Sequence, residues 1–99
     1  MAHPSPKSCL KFFKAVCDDH RHKILEHLKK LGKVNAGDIV KKVKLSQPTV
    51  SHHLKILCEA KIINSEKKGK EVFYSLNEDS IHNCCHSFMN RFSCKKKKC

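Results

Sequence analysis

Two groups of residues in this chain have the types and spacing to do chemistry. The first lies in residues 45–57, LSQPTVSHHLKIL. Read as a helix, Val50, Leu54 and Leu57 recur at the i, i+4, i+7 spacing of one face. Gln47, Thr49, Ser51, His52, His53 and Lys55 are left to the other faces. That outward surface offers short hydrogen-bonding groups, one lysine and no carboxylate. A helix reading base edges in a major groove needs such groups, because the edges present both donors and acceptors. Ordinary amphipathic surface helices have polar backs too, so this reading leans on its surroundings. The second group is His82, Cys84, Cys85 and His86, with Cys94 and Cys99 beyond. His82 and His86 are an i, i+4 pair able to reach one ion from one helix face, with Cys85 beside them. The thiols favour soft or borderline ions such as As(III), Cd(II), Zn(II) or Cu(I). Cys85 also falls on an apolar stripe, where packing accounts for it equally well. Cys9 and Cys17 lie on another stripe and read as packing, while Cys58 fits either role.

The rest of the sequence sets the context for both groups. A chain of 99 residues makes one domain that can close a core without staples. Lys and Arg number 21 against 9 acidic residues, a formal net charge of +12. That excess favours a polyanionic partner, nucleic acid or an anionic membrane surface. No apolar run is long enough to span a bilayer. The start, MAHPSPK, has no apolar signal core, so a cytoplasmic location is expected. Seven cysteines, an odd number without an export signal, read as reduced thiols rather than a secreted disulfide framework.

Taken in order, residues 1–7 read as a flexible arm, 8–93 as the folded domain and 94–99 as a basic, cysteine-containing tail. From Ser8, the residues Cys9, Leu10, Phe12, Phe13, Val16 and Cys17 form one helical stripe. Asp18 or Asp19 caps a second helix carrying Ile24, Leu25, Leu28 and Leu31, which Gly32 ends. Asn35 begins a short third helix lined by Ile39, Val40 and Val43, with Asp38 three residues on. Ser46 caps the fourth, and Pro48 falls in its first turn, where a missing N–H costs no bond. Two short helices joined by so tight a turn are a helix-turn-helix with the second in the recognition position. A strand from Ile62, a Lys68-Gly69 turn and an alternating strand over residues 71–76 then form a two-stranded wing. Lys67, Lys68 and Lys70 at its tip can grip phosphates beside the groove. Asn77 caps a fifth helix with Ile81, Cys85, Phe88 and Phe92 in one stripe. The fold class expected is therefore mainly α, a winged helix-turn-helix of five helices and a two-stranded wing. One such small domain cannot readily bury both terminal stripes. Leu10, Phe13, Ile81, Cys85, Phe88 and Phe92 are expected to pair across a two-fold axis in a homodimer.

SQPTVSHHLKIL followed by a basic hairpin ending in VFYSL resembles the ArsR/SmtB family of bacterial winged-helix repressors, over about residues 12–92, nearly the whole chain. Lys14-Ala15-Val16 through Arg21 and Ile24-Leu25 is similar to the family's second-helix start, with Asp19-His20 in place of the usual Pro-Thr. The resemblance implies a homodimer on a palindromic operator that leaves when a metal ion or oxidant is sensed. It also implies that Ser46, Gln47, Thr49, Ser51, His52 and His53 face DNA. Three of the family's sensor patterns are missing. Asn35-Ala36-Gly37 stands where the Cys-Val-Cys motif would align, and Ser80-Ile81-His82 with Ser93 and Lys96 keeps only one ligand of the last-helix site. No cysteine lies near Glu26, where the thiol-redox branch has one. Some arsenic-sensing members use a Cys-Cys pair near the C-terminus, which the Cys84-Cys85 pair resembles.

The function expected is a sequence-specific repressor released by a thiophilic ion or by thiol oxidation, needing no cofactor to bind double-stranded DNA. The alternative is a constitutive DNA binder whose cysteines are structural. Paired carboxylates in a cleft, a phosphate-cradling glycine loop and a Ser-His-Asp set are all lacking, which argues against an enzyme.

Overall fold

The computed structural model describes residues 6–92. Five helices and three strands follow in the order α1 (Pro6–Val16), α2 (Asp19–Leu31), β1 (Val34–Asn35), α3 (Ala36–Val43), α4 (Gln47–Glu59), β2 (Ile63–Lys68), β3 (Glu71–Leu76) and α5 (Glu78–Phe92). The first helix begins two residues before Ser8, so Pro6 and Lys7 belong to it rather than to an arm. Proline suits a first helical turn, because its fixed φ is helical and its missing N–H has no intrahelical acceptor there.

Each later helix starts on a side chain that satisfies an otherwise unpaired N–H. Asp18 Oδ1 accepts from the Arg21 N–H at 3.0 Å, and Asn35 Oδ1 from the Asp38 N–H at 2.8 Å. Ser46 Oγ accepts from the Thr49 N–H at 3.4 Å, and Asn77 Oδ1 from the Ser80 N–H at 3.2 Å. The ends are equally local. Gly32 closes α2 at φ 85° and Lys44 closes α3 at φ 56°, each returning its N–H to the carbonyl four residues back.

The wing has a third strand. β1 pairs antiparallel with β3, Val34 opposite Tyr74, so the sheet order is β1-β3-β2. Two residues are too few to show a strand period, which is why the sequence suggested only two strands. β2 and β3 pair from Ile63 opposite Leu76 to Lys68 opposite Glu71, turning through Gly69 at φ 62°. Ile24, Leu28, Ile39, Val50, Leu57 and Ile62 are the largest fully buried side chains. They come from α2, α3, α4 and the start of the wing, so one core fixes α4 against its neighbours.

Candidate nucleic-acid interface

α4 is held from below by Val50, Leu54 and Leu57, all buried. Ser46, Gln47, Thr49, Ser51, His52 and Lys55 are exposed, and the Ser46 and Thr49 hydroxyls bond each other at 2.8 Å. An uninterrupted polar strip therefore runs along the helix from its capped N-terminus.

His53 does not belong to that strip. It is only 8% exposed, and its Nδ1 accepts from Arg21 Nη1 at 3.3 Å. The position lies three residues after Val50 and four before Leu57, on the buried stripe itself, so the spacing alone could have shown it. With Nδ1 accepting, the neutral ring carries its proton on Nε2. Burial pushes the His53 pKa down, the Arg21, His20 and His52 charges add to this, and Asp18 opposes it. Arg21 also donates from Nε to the Ala15 carbonyl at 2.6 Å, and its Nη2 lies 4.0 Å from Asp18 Oδ2. One guanidinium thus ties the end of α1, the cap of α2 and the buried ring of α4 together. The sequence pointed to Asp18 only as a cap and to Arg21 only through the family pattern.

Asp18, His20 and His53 also place one ligand atom each within 4.8 Å of the others, the only such group of three among the described residues. Arg21 already occupies His53 Nδ1 and lies against Asp18, so a cation is present where an ion would have to go. This cluster is better suited to seating α4 than to binding metal.

At the wing tip Lys67, Lys68 and Lys70 are exposed. Glu66 pairs with Lys33, and that bond and charge hold its carboxyl below the usual carboxylate range. Glu66 is thereby compensated, and at the tip itself Lys67, Lys68 and Lys70 outnumber the single carboxylate of Glu71.

α5 separates the expected ligands. His82, Cys85 and His86 are exposed, the two rings 5.8 Å apart between centroids. Cys84 instead is buried, its sulfur 3.0 Å from that of Cys9 on α1. It cannot join an ion held on the outer face, because adjacent helical residues point about a third of a turn apart. Cys94 lies outside the described residues. The inner face of α5 is thus Ile81 and Cys84 rather than the Ile81, Cys85, Phe88, Phe92 stripe. Phe88 and Phe92 line, with Cys9, Leu10, Phe13, Ser87 and Arg91, an open apolar groove of about 430 Å³. Leu10 is 61%, Phe88 50% and Phe92 66% exposed.

A capped polar helix over a buried anchor, with a lysine-tipped hairpin after it, defines a winged helix-turn-helix DNA-binding domain. The profile of the bacterial regulatory protein, arsR family, matches residues 18–65. The transcriptional repressor SdpR of Bacillus subtilis (strain 168) is 45% identical, over 80% of this chain and 90% of its own. A cadmium resistance transcriptional regulatory protein CadC homolog of Staphylococcus aureus is 36% identical, over 82% of this chain and 67% of its own. Among solved structures, a homodimeric winged helix-turn-helix DNA-binding domain from Mycobacterium bovis superposes with TM-score 0.71 at 19% identity, covering 92% of this chain and 90% of its own. The chain belongs to the ArsR family, whose members are DNA-binding transcriptional regulators and not enzymes. Among the described residues no helix is long and apolar enough to cross a membrane.

Proposed function

We propose that this protein is a cytoplasmic homodimeric repressor that binds a palindromic operator and is released by a thiophilic ion or by thiol oxidation. The observation that carries the reading is the polar strip of α4, Ser46, Gln47, Thr49, Ser51, His52 and Lys55, set over buried Val50, Leu54 and Leu57. Short side chains on a rigid helix suit base-edge contacts, while Lys67, Lys68 and Lys70 suit phosphates. The exposed groove between α1 and α5 supports pairing of two copies, and the homodimeric Mycobacterium bovis domain has the same fold. Two-fold symmetry would set two α4 helices against two half-sites.

For release, the exposed His82, Cys85 and His86 are the ligands proposed on α5, with Cys94 beyond, for As(III), Cd(II), Zn(II) or Cu(I). The cadmium resistance named in the Staphylococcus aureus relative supports an ion of this class. A second reading, a constitutive binder with no effector, is favoured by the inward turn of Cys84, which removes one thiol from that set.

Fluorescence anisotropy of the reduced protein on DNA from its own upstream region tests both. Tight, salt-dependent, sequence-specific binding that one of the four ions or an oxidant reverses supports the inducible repressor. Specific binding that none of them shifts supports the constitutive reading, and binding without sequence preference overturns both.

A further inference from the structure

Cys9 and Cys84 are 75 residues apart in sequence, yet their sulfurs lie 3.0 Å apart between α1 and α5. Cys84 is buried, and Cys9 is half-buried at the edge of the aromatic groove. A disulfide needs a sulfur separation of about 2.05 Å. The remaining approach is about 1 Å, the size of ordinary thermal excursions of a well-ordered side chain. We propose that Cys9 and Cys84 form a redox site, closing on oxidation into an intramolecular disulfide that ties α1 to α5 beneath the groove. The inference gives the thiol-oxidation route of the proposed function a site and rests on that reading only for its effect on DNA. Neither sulfur belongs to the ion ligands proposed on the outer face of α5, and the bond can be mapped whether or not the protein binds an operator.

The oxidant is a hydroperoxide. Cys9, the more accessible thiol, attacks the peroxide oxygen; an S–O bond forms, the O–O bond breaks, and an alcohol, or water from hydrogen peroxide, leaves. The sulfur of Cys84 then attacks that of Cys9. The S–S bond forms, the S–O bond breaks, and the departing hydroxide takes the Cys84 proton as water. Two thiols are oxidised by two electrons and one peroxide is reduced.

The environment divides the roles. Cys84 is shielded from solvent, whereas Cys9 reaches the edge of the groove. Cys84 is therefore out of reach of dissolved oxidants and acts on a partner already at contact distance, where proximity favours the attack. Cys85, exposed on the other side of the helix, takes no part.

The test treats the reduced full chain with one equivalent of hydrogen peroxide, blocks the remaining thiols with N-ethylmaleimide and maps an unreduced tryptic digest. The expected product loses two of the seven thiols. It joins the peptide of Cys9 to that of Cys84 and Cys85, with fragmentation assigning the link to Cys84, and excess dithiothreitol reverses it. Cys85→Ser keeps the link and Cys9→Ser loses it. The proposal is overturned if, in the unsubstituted chain, Cys84 remains blocked by maleimide while other cysteines oxidise, or if it pairs with any cysteine but Cys9. Mapping the unsubstituted chain decides the matter even if Cys9→Ser fails to fold.

Discussion

His53 joins the recognition helix to the start of α2 through a hydrogen bond that only its neutral ring can accept. Its folded pKa lies below the ordinary value near 6.5, chiefly because of burial, so the unfolded chain takes up this proton at higher pH than the folded one. The stability it contributes is complete above about pH 6.5 and is lost as pH falls through the folded value. Urea midpoints should therefore drop between pH 7.5 and 5.5, and His53→Gln, which cannot titrate, should flatten that drop. Asp18, held low by the Arg21 N–H, acts in a separate window, losing its contribution only as pH falls below about 3.8. His53→Leu should cost about 1–3 kcal/mol at pH 7.5, because Arg21 loses an acceptor in a confined site. The exposed residues behave differently. His52→Ala should leave stability nearly unchanged while weakening specific DNA binding by about 1–3 kcal/mol, with reduced discrimination between sites. Lys68→Ala should weaken binding to all sequences alike and reduce the salt slope by about 0.9 for the phosphate contact removed.

At the scale of elements, the starts of α2 to α5 were readable because each is decided by one side chain and the N–H three residues on. Asp18, Asn35, Ser46 and Asn77 cap as their types and positions suggest. Ser46→Ala should cost about 1 kcal/mol, seen as a lower urea midpoint, and should also fray the turn that carries Gln47 and Thr49. Operator affinity should fall further than stability alone explains, since those two side chains lose their fixed starting point. What sequence could not supply was orientation decided between elements. Cys84 and Cys85 are equivalent by type, and it is the approach of α1, with Cys9, that buries the first and leaves the second in water. β1 exists only because β3 lies beside it. His53 is a different case, because its place on the Val50-Leu57 stripe was available and its polarity outweighed the spacing.

At the scale of the whole molecule, a 99-residue chain with net charge +12 leaves three aromatic rings in a chain of ring contacts on one side. Phe13 meets Phe88 at 5.2 Å and Phe88 meets Phe92 at 5.0 Å between centroids, yet Phe88 and Phe92 remain at least half exposed. Exposed aromatic area of this kind costs free energy in water, at about 25 cal/mol per Å² that a partner could cover. A second copy would bring the same face and cover both at once. Phe88→Glu should then give a folded monomer in sedimentation at micromolar concentration, because enclosing two carboxylates in an apolar seam costs more than Arg91 at the groove offsets. Its far-ultraviolet circular dichroism should match the unsubstituted protein, since residue 88 lies outside the buried core. DNA affinity separates the consequences. A dimer binds its second half-site as an intramolecular event, at an effective concentration set by the distance between the two α4 helices. The Phe88→Glu monomer should therefore lose about 10²–10⁴-fold on a two-half-site operator while binding a single half-site as the unsubstituted protein does. Equal losses on both targets would place the defect in α4 rather than in assembly. A Phe88→Glu protein that still sediments as a dimer would move the interface away from the α1–α5 groove altogether.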